Sequence, residues 1–192
     1  KKEKNTENVH SDRINNVLTV GKVISGEPNL VLENSDFQVS GSLKTSYVEH
    51  AYIEPEAGAS WMDGNTLVIQ ACTQAPIMDR DDTAKILGLE KEQVRIIPAT
   101  AGGGFGSKLD VSIQPLLGLV TLKTDKPCRI AYTRNESMMS TTKRHPADMN
   151  ALISANKNGK IVGMIFDGDF NTGAYASWGP TVATRVPIHA SG

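Results

Sequence analysis

Cysteine is nearly absent from this chain: Cys72 and Cys128 are the only two among 192 residues, and they lie far apart. That excludes a disulfide framework and a paired-cysteine metal motif, so both are read as reduced core thiols. An excess of one charge is lacking too. Twenty Lys and Arg against twenty-one Asp and Glu leave a net charge of -1, which favours neither nucleic acid nor an anionic membrane surface as partner. No apolar run is long enough to span a bilayer, and the polar start KKEKNTENVHSDR has no signal-peptide core. These absences predict a cytoplasmic chain with no nucleic acid and no membrane partner. The first residue is Lys1 rather than Met, and His189 to Gly192 carry no helix stop or closing strand, so the chain is expected to be a fragment of a longer protein.

What is present is an ordinary globular composition, 39% hydrophobic and 21% charged. Residues 1–16 read as a polar tail or linker and 17–192 as the folded part. Strands are expected at Val17 to Ile24, followed by a turn from Ser25 to Asn29, and from Phe37 through Tyr52, half-buried with a bulge at Gly41. A hairpin turn at Met62 to Asn65 leads into a strand from Thr66 to Ala71. Pro76 opens a helix that ends near Gly88, and Val94 to Ile97 is a short buried strand. An apolar helix is expected from Val111 to Thr124 with Asp110 near its start and Lys123 near its end. A strand from Pro127 to Thr133, a short helix from Arg134 to Met139 and a hairpin of Asp148 to Asn156 with Lys160 to Asp169 complete the pattern. The fold class read from this succession is α+β (mixed α/β), a mixed β-sheet with packed helices.

The most distinctive segment is Ala101 to Lys108, AGGGFGSK. Four glycines around one aromatic exceed what a strand-to-helix turn needs, and they point to a backbone that approaches a ligand. Amides after a strand could converge on an electron-rich group. The familiar nucleotide loops do not match. A Walker loop needs glycine before its lysine and a hydroxyl after it, where this chain has Ser107 and Leu109, and a dinucleotide fingerprint starting at Gly102 fails at Ser107.

Two further segments carry polar chemistry. Glu49 to Glu56 holds three carboxylates and an imidazole, compatible with a metal site or an acid/base pair but specific to neither. On an extended strand Glu49, Ala51 and Ile53 would share one face and His50, Tyr52 and Glu54 the other; His50 alone is read as a structural histidine. Cys72 to Pro76 places Gln74 at a strand end, where α/β sheets often bind ligands, although Gln74 taken by itself reads as a turn residue.

Taken in order, EHAYIEPEAG, TQAP, AGGGFGSK, RHPADM and GAYASWGP resemble the molybdopterin-binding large subunit of the molybdenum hydroxylases, the xanthine dehydrogenase and aldehyde oxidoreductase family. The resemblance runs from about Val17 to the C-terminus and implies that residues 17–192 are the first part of a molybdenum cofactor-binding domain. It implies a pyranopterin cofactor, molybdopterin or its cytosine dinucleotide form, whose dithiolene holds the metal, so that no direct protein ligand is expected. By the same resemblance Gln74, Gly104, Phe105 and Gly106 contact the cofactor, and Leu109 lies close to the substrate pocket. Purine-oxidising members carry a glutamate at the Leu109 position, which counts against a xanthine-like substrate. The family's general-base glutamate is expected beyond residue 192, and none of Glu49, Glu54 or Glu56 replaces it. The implied reaction of the parent is hydroxylation of an aldehyde or N-heterocycle with water-derived oxygen, electrons leaving through iron-sulfur clusters and often FAD in other domains or subunits. Gly173 to Pro180 reads either as part of the pocket region or as an aromatic turn closing the core. The alternative function is a noncatalytic, fold-retaining or assembly module.

Overall fold

The computed structural model describes residues 7–190, so residues 1–6 of the expected tail and the last two residues lie outside the described part. The described chain is α+β, as the succession of elements predicts, with two separate sheets. It divides into two compact units: Val48–Arg144, and a second made of the segments before and after it.

In the first unit the four strands are β2 (Ala57–Asp63), β3 (Thr66–Ala71), β4 (Val94–Pro98) and β5 (Cys128–Ala131), in the order β4-β3-β2-β5. The β2-β3 hairpin closes where expected, with Asp63 opposite Thr66 and Gly64 at φ 58°. β3 and β4 run parallel, in register from Leu67–Val94 to Ala71–Pro98, and the crossover between them is helix α2 (Pro76–Leu87). Pro76 occupies its first turn and Gly88 caps its end in the left-handed region. Leu67, Ile69 and Ala71 share one face of β3 and join Ala84, Val94, Ile113 and Leu117 in the core. Helix α3 (Gln114–Thr124) approaches this sheet closely at Gly118, where a Cβ would come within 2.7 Å of Leu87 Cδ1 and 2.9 Å of Leu67 Cδ2. Helix α4 (Arg134–Ser140) starts in a capping box, Thr133 Oγ1 accepting from the Glu136 amide and Glu136 from the Thr133 amide.

α3 begins three residues later than its apolar pattern suggests, capped at Ile113 rather than near Asp110. Pro115 explains the difference: a proline fits the first turn, whereas a helix from Val111 would place it inside and lose a hydrogen bond.

The second unit holds a three-stranded antiparallel sheet, β1 (Phe37–Lys44), β6 (Ala147–Ala155) and β7 (Ile161–Phe170), in the order β1-β6-β7. The β6-β7 hairpin turns through Asn156 to Gly159 as expected, Gly159 adopting φ 77°. Helix α1 (Pro28–Glu33) packs on β7, where a Cβ on Gly163 would meet Val31 Cγ1 at 3.2 Å. Three expectations fail in this unit. Val17 to Ile24 forms no strand, because no strand edge pairs with it, and Val20 is 80% exposed. β1 stops at Lys44, and all of its residues are exposed rather than half-buried. Its register runs regularly through Gly41, the irregularity falling instead at Ser154/Ala155. Helix α1 takes up part of the expected turn, the Pro28 read as a turn signal sitting in its first helical turn, and helix α5 (Gly179–Ala190) lies where no element was expected.

Candidate functional site

The parallel pair β3-β4 sets the place of the site. Both strands end on the same side, Ala99 donating its amide to the Ala71 carbonyl at 2.9 Å, so Cys72–Ala75 and the glycine loop leave the sheet together. Loops at the carboxyl ends of adjacent parallel strands form the usual ligand crevice of such sheets.

Gln74 and the glycine loop interlock. The Gln74 side-chain Oε1 accepts from the amides of Gly106 at 3.0 Å and Lys108 at 3.2 Å, and the Gln74 amide donates to the Lys108 carbonyl at 2.9 Å. Two converging N–H donors identify the buried end of that amide as oxygen, leaving Nε2 as the outward donor. Gly104 makes this possible: a Cβ there would stand 2.4 Å from Gln74 Oε1. The loop then turns tightly, Ser107 donating to the Gly104 carbonyl at 2.9 Å, with Phe105 at φ 55° and Gly106 at φ 94°. A phenylalanine in the left-handed region is strained, and the residue is 74% exposed. Among the described residues the amides of Gly103, Gly104 and Phe105 have no acceptor.

The loop's two ends are tied through Glu54. The Gly102 amide donates to Glu54 Oε2 at 2.8 Å and the Glu54 amide to the Gly102 carbonyl at 3.3 Å. Lys108, buried, reaches the same carboxylate at 3.1 Å. Burial opposes the charge on Glu54, but the Cys72 side chain, the Gly102 amide and the Lys108 ammonium outweigh it and hold its carboxyl below the usual range. Burial raises the Cys72 thiol, and its contact with Glu54 adds to this, so it stays protonated at neutral pH. For Lys108 burial acts against the charge, yet its pKa is raised by Cys72 and Glu54; with Cys72 a thiol, the carboxylate is the partner that operates near neutrality.

The sequence-predicted residues thus separate. Gln74, Gly104, Phe105 and Gly106 come together at one strand-end crevice. Leu109 follows directly and is half-buried, as is Asp110. The Glu49–Glu56 segment does not form the expected strand: Ala51 has φ 50°, its amide bonded to the Glu49 carboxylate. Glu56 is engaged by the Tyr52 hydroxyl, and among the described residues no group of three His, Cys, Asp or Glu side chains could hold a metal ion. Tyr175, in the Gly173 to Pro180 segment of the other unit, is 81% exposed and closes no core. Sequence reasoning missed Lys108 and Glu54, having weighed Lys108 only against a Walker loop. The available signal was a lysine set between a glycine loop and Leu109, a position that becomes interior once the loop folds back.

The molybdopterin cofactor-binding domain family matches residues 9–192. The chain belongs to this family. The likeness to the molybdenum hydroxylases carried by the five motifs is therefore borne out. The chain is 38% identical over 185 residues to the nicotinate dehydrogenase large molybdopterin subunit of Eubacterium barkeri, covering 96% of this chain and 43% of that one. It is 30% identical over 171 residues to the xanthine dehydrogenase molybdenum-binding subunit of Escherichia coli O157:H7, covering 88% and 23%. Among solved structures, the aldehyde oxidoreductase of Desulfovibrio desulfuricans superposes with a TM-score of 0.69 at 28% identity over 76% of this chain and 16% of that one. The Desulfovibrio gigas aldehyde oxidoreductase shares the fold, with a TM-score of 0.77 at 23% identity over 82% and 17%. The chain spans less than half the length of the relatives it matches.

A molybdopterin cofactor fits the donors present. It brings its own metal ligands and presents hydrogen-bond acceptors that N–H donors meet, and the crevice offers Gln74 Nε2, three loop amides without acceptors among the described residues and a backbone that a Cβ at Gly104 would obstruct.

Proposed function

We propose that residues 17–192 form one wall of the molybdenum cofactor site of a larger enzyme, with Gln74, Gly104, Phe105 and Gly106 against the cofactor and Leu109 toward the substrate. The observation that carries this reading is the lock of Gln74 Oε1 by the Gly106 and Lys108 amides, which turns the side chain's N–H₂ outward beside the unbonded loop amides. Once bound, the cofactor supplies oxidation of a substrate C–H bond with oxygen drawn from water. The chain's own residues bind and orient. Gln74 Nε2 and the loop amides donate to electron-rich oxygens without adding charge, and the glycines keep side chains out of the approach. Leu109 offers no hydrogen bond to a ring, unlike a glutamate, which turns the pocket away from purines.

The parent, in this reading, is a molybdenum hydroxylase acting on an aldehyde or an aromatic N-heterocycle, the latter supported by the likeness to a nicotinate dehydrogenase subunit. Iron-sulfur and flavin domains or subunits carry the electrons away. The pterin is molybdopterin or its cytosine dinucleotide form, the general base comes from outside these residues, and the 192 residues alone are inactive, since half a cradle loses most contacts with a large ligand.

The test is metal and pterin analysis of the full-length protein purified from cells that make the cofactor. Near-stoichiometric molybdenum and pterin is the expected result. Protein folded but free of both would favour a noncatalytic module.

A further inference from the structure

Lys108 has a feature that a ligand-binding lysine lacks: its ammonium is already satisfied. Its three N–H donors have three acceptors within reach, the Glu54 carbonyl at 3.0 Å, Glu54 Oε2 at 3.1 Å and Cys72 Sγ at 3.2 Å. The Tyr52 ring lies against it, centroid 4.3 Å away. The side chain is only 4% exposed. Nothing remains for a cofactor or substrate, and a charge this deep is retained only where it is paired.

Its backbone does the complementary work. The Lys108 amide and carbonyl both engage Gln74, and the neighbouring Gly106 amide shares the same oxygen. The side chain meanwhile holds Glu54, whose carboxylate accepts from Gly102 at the loop's opposite end. One residue therefore joins three segments, Tyr52–Glu54, Cys72–Gln74 and Gly102–Gly106, all within the unit Val48–Arg144.

We propose that Lys108 is a positioning residue: the ion pair of its buried ammonium with Glu54 closes the glycine loop on itself and so sets where the Gln74 amide and the Phe105 backbone stand. The role rests on the reading of the loop as a cofactor wall, but its local consequence does not. Removing the ammonium frees Glu54, and the loop loses its tie between Gly102 and Lys108. Phe105 then relaxes from its strained φ, because strain of this kind persists only while its surroundings enforce it.

The test compares wild type, Lys108→Met and Glu54→Gln in the full-length protein, by amide hydrogen exchange and by electron paramagnetic resonance of the dithionite-reduced molybdenum. Glu54→Gln keeps an acceptor for Gly102 and removes only the charge facing Lys108, so it decides the matter if Lys108→Met does not fold. The expected result is exchange about tenfold faster or more at Gly102 and Gly106 with the β3 amides unchanged, together with a shifted molybdenum signal at retained metal content. Loop exchange and signal both unchanged in a folded variant overturn the proposal, as does a uniform loosening that includes β3. Loop-only loosening in a protein that holds no molybdenum even as wild type overturns the cofactor reading and leaves the loop clamp standing.

Discussion

The two units use the same elements to different ends. Between Val48 and Arg144 lie ten of the twelve buried hydrophobic residues among those described, all but Leu32 and Ala147. The sheet of the other unit carries its apolar side chains largely in the open: Val39, Ile153 and Met164 form one cross-strand row and are 72%, 37% and 43% exposed. The proposed role of the glycine loop as a cofactor wall requires that it be held where strand ends cannot shift. Phe105, at φ 55°, and the Lys108–Glu54 ion pair both lie on this densely packed unit, where the surroundings can enforce them.

The sharpest way to break that contrast is a matched pair of truncations. Leu117→Ala, at a fully buried site, is expected to cost about 3–4 kcal/mol, read as lost hydrogen-exchange protection at β3 in the full-length protein. Val39→Ala is expected to stay within about 0.5 kcal/mol; equal costs would erase the distinction. Next in size is Gly104→Ala, whose Cβ must displace Gln74. Turnover per bound molybdenum should fall about 100-fold while β3 protection holds, and unchanged turnover would remove Gln74 from the site.

A smaller effect separates the units by pH. Burial lowers the pKa of His145, at the edge of the second unit. The unfolded chain therefore takes up this proton first as pH falls below about 6.5, and stability is lost until the folded histidine also titrates. The slope is at most about 1.4 kcal/mol per pH unit. Exchange at the β6 amides should report it, and the comparison with His145→Gln at each pH cancels the intrinsic dependence; no difference between the two would contradict it. The least change is expected of Phe105→Gly. Relief of the left-handed strain and the added chain entropy nearly cancel, leaving β3 protection within about 0.5 kcal/mol, so a larger loss would show that the ring supports the fold.

Legibility in the sequence follows the same division. Elements whose signals are local were readable: the Asp63–Gly64–Asn65 hairpin, the span from Pro76 to Gly88, the short helix opening at Arg134 and the Asn156–Gly159 turn each specify backbone geometry within a few residues. Val17 to Ile24 and the extension of β1 toward Tyr52 were misread because alternation reports only that a strand would suit, while an edge to pair with and a surface to cover come from elsewhere in the chain. α3 shows a local signal overlooked, since Pro115 marks its start.

At the candidate site, residue identity alone determined an open backbone, because a run such as Gly102, Gly103, Gly104 and Gly106 leaves room around it, and the order of five short motifs determined the family. Tertiary structure decided the rest. It aligned the ends of β3 and β4, turned the Gln74 oxygen inward, and buried Lys108 against Glu54, which lies 54 residues earlier. Spacing along a chain does not encode such a pairing; it exists only after the fold has brought the segments together and excluded the water that would otherwise solvate the Lys108 ammonium.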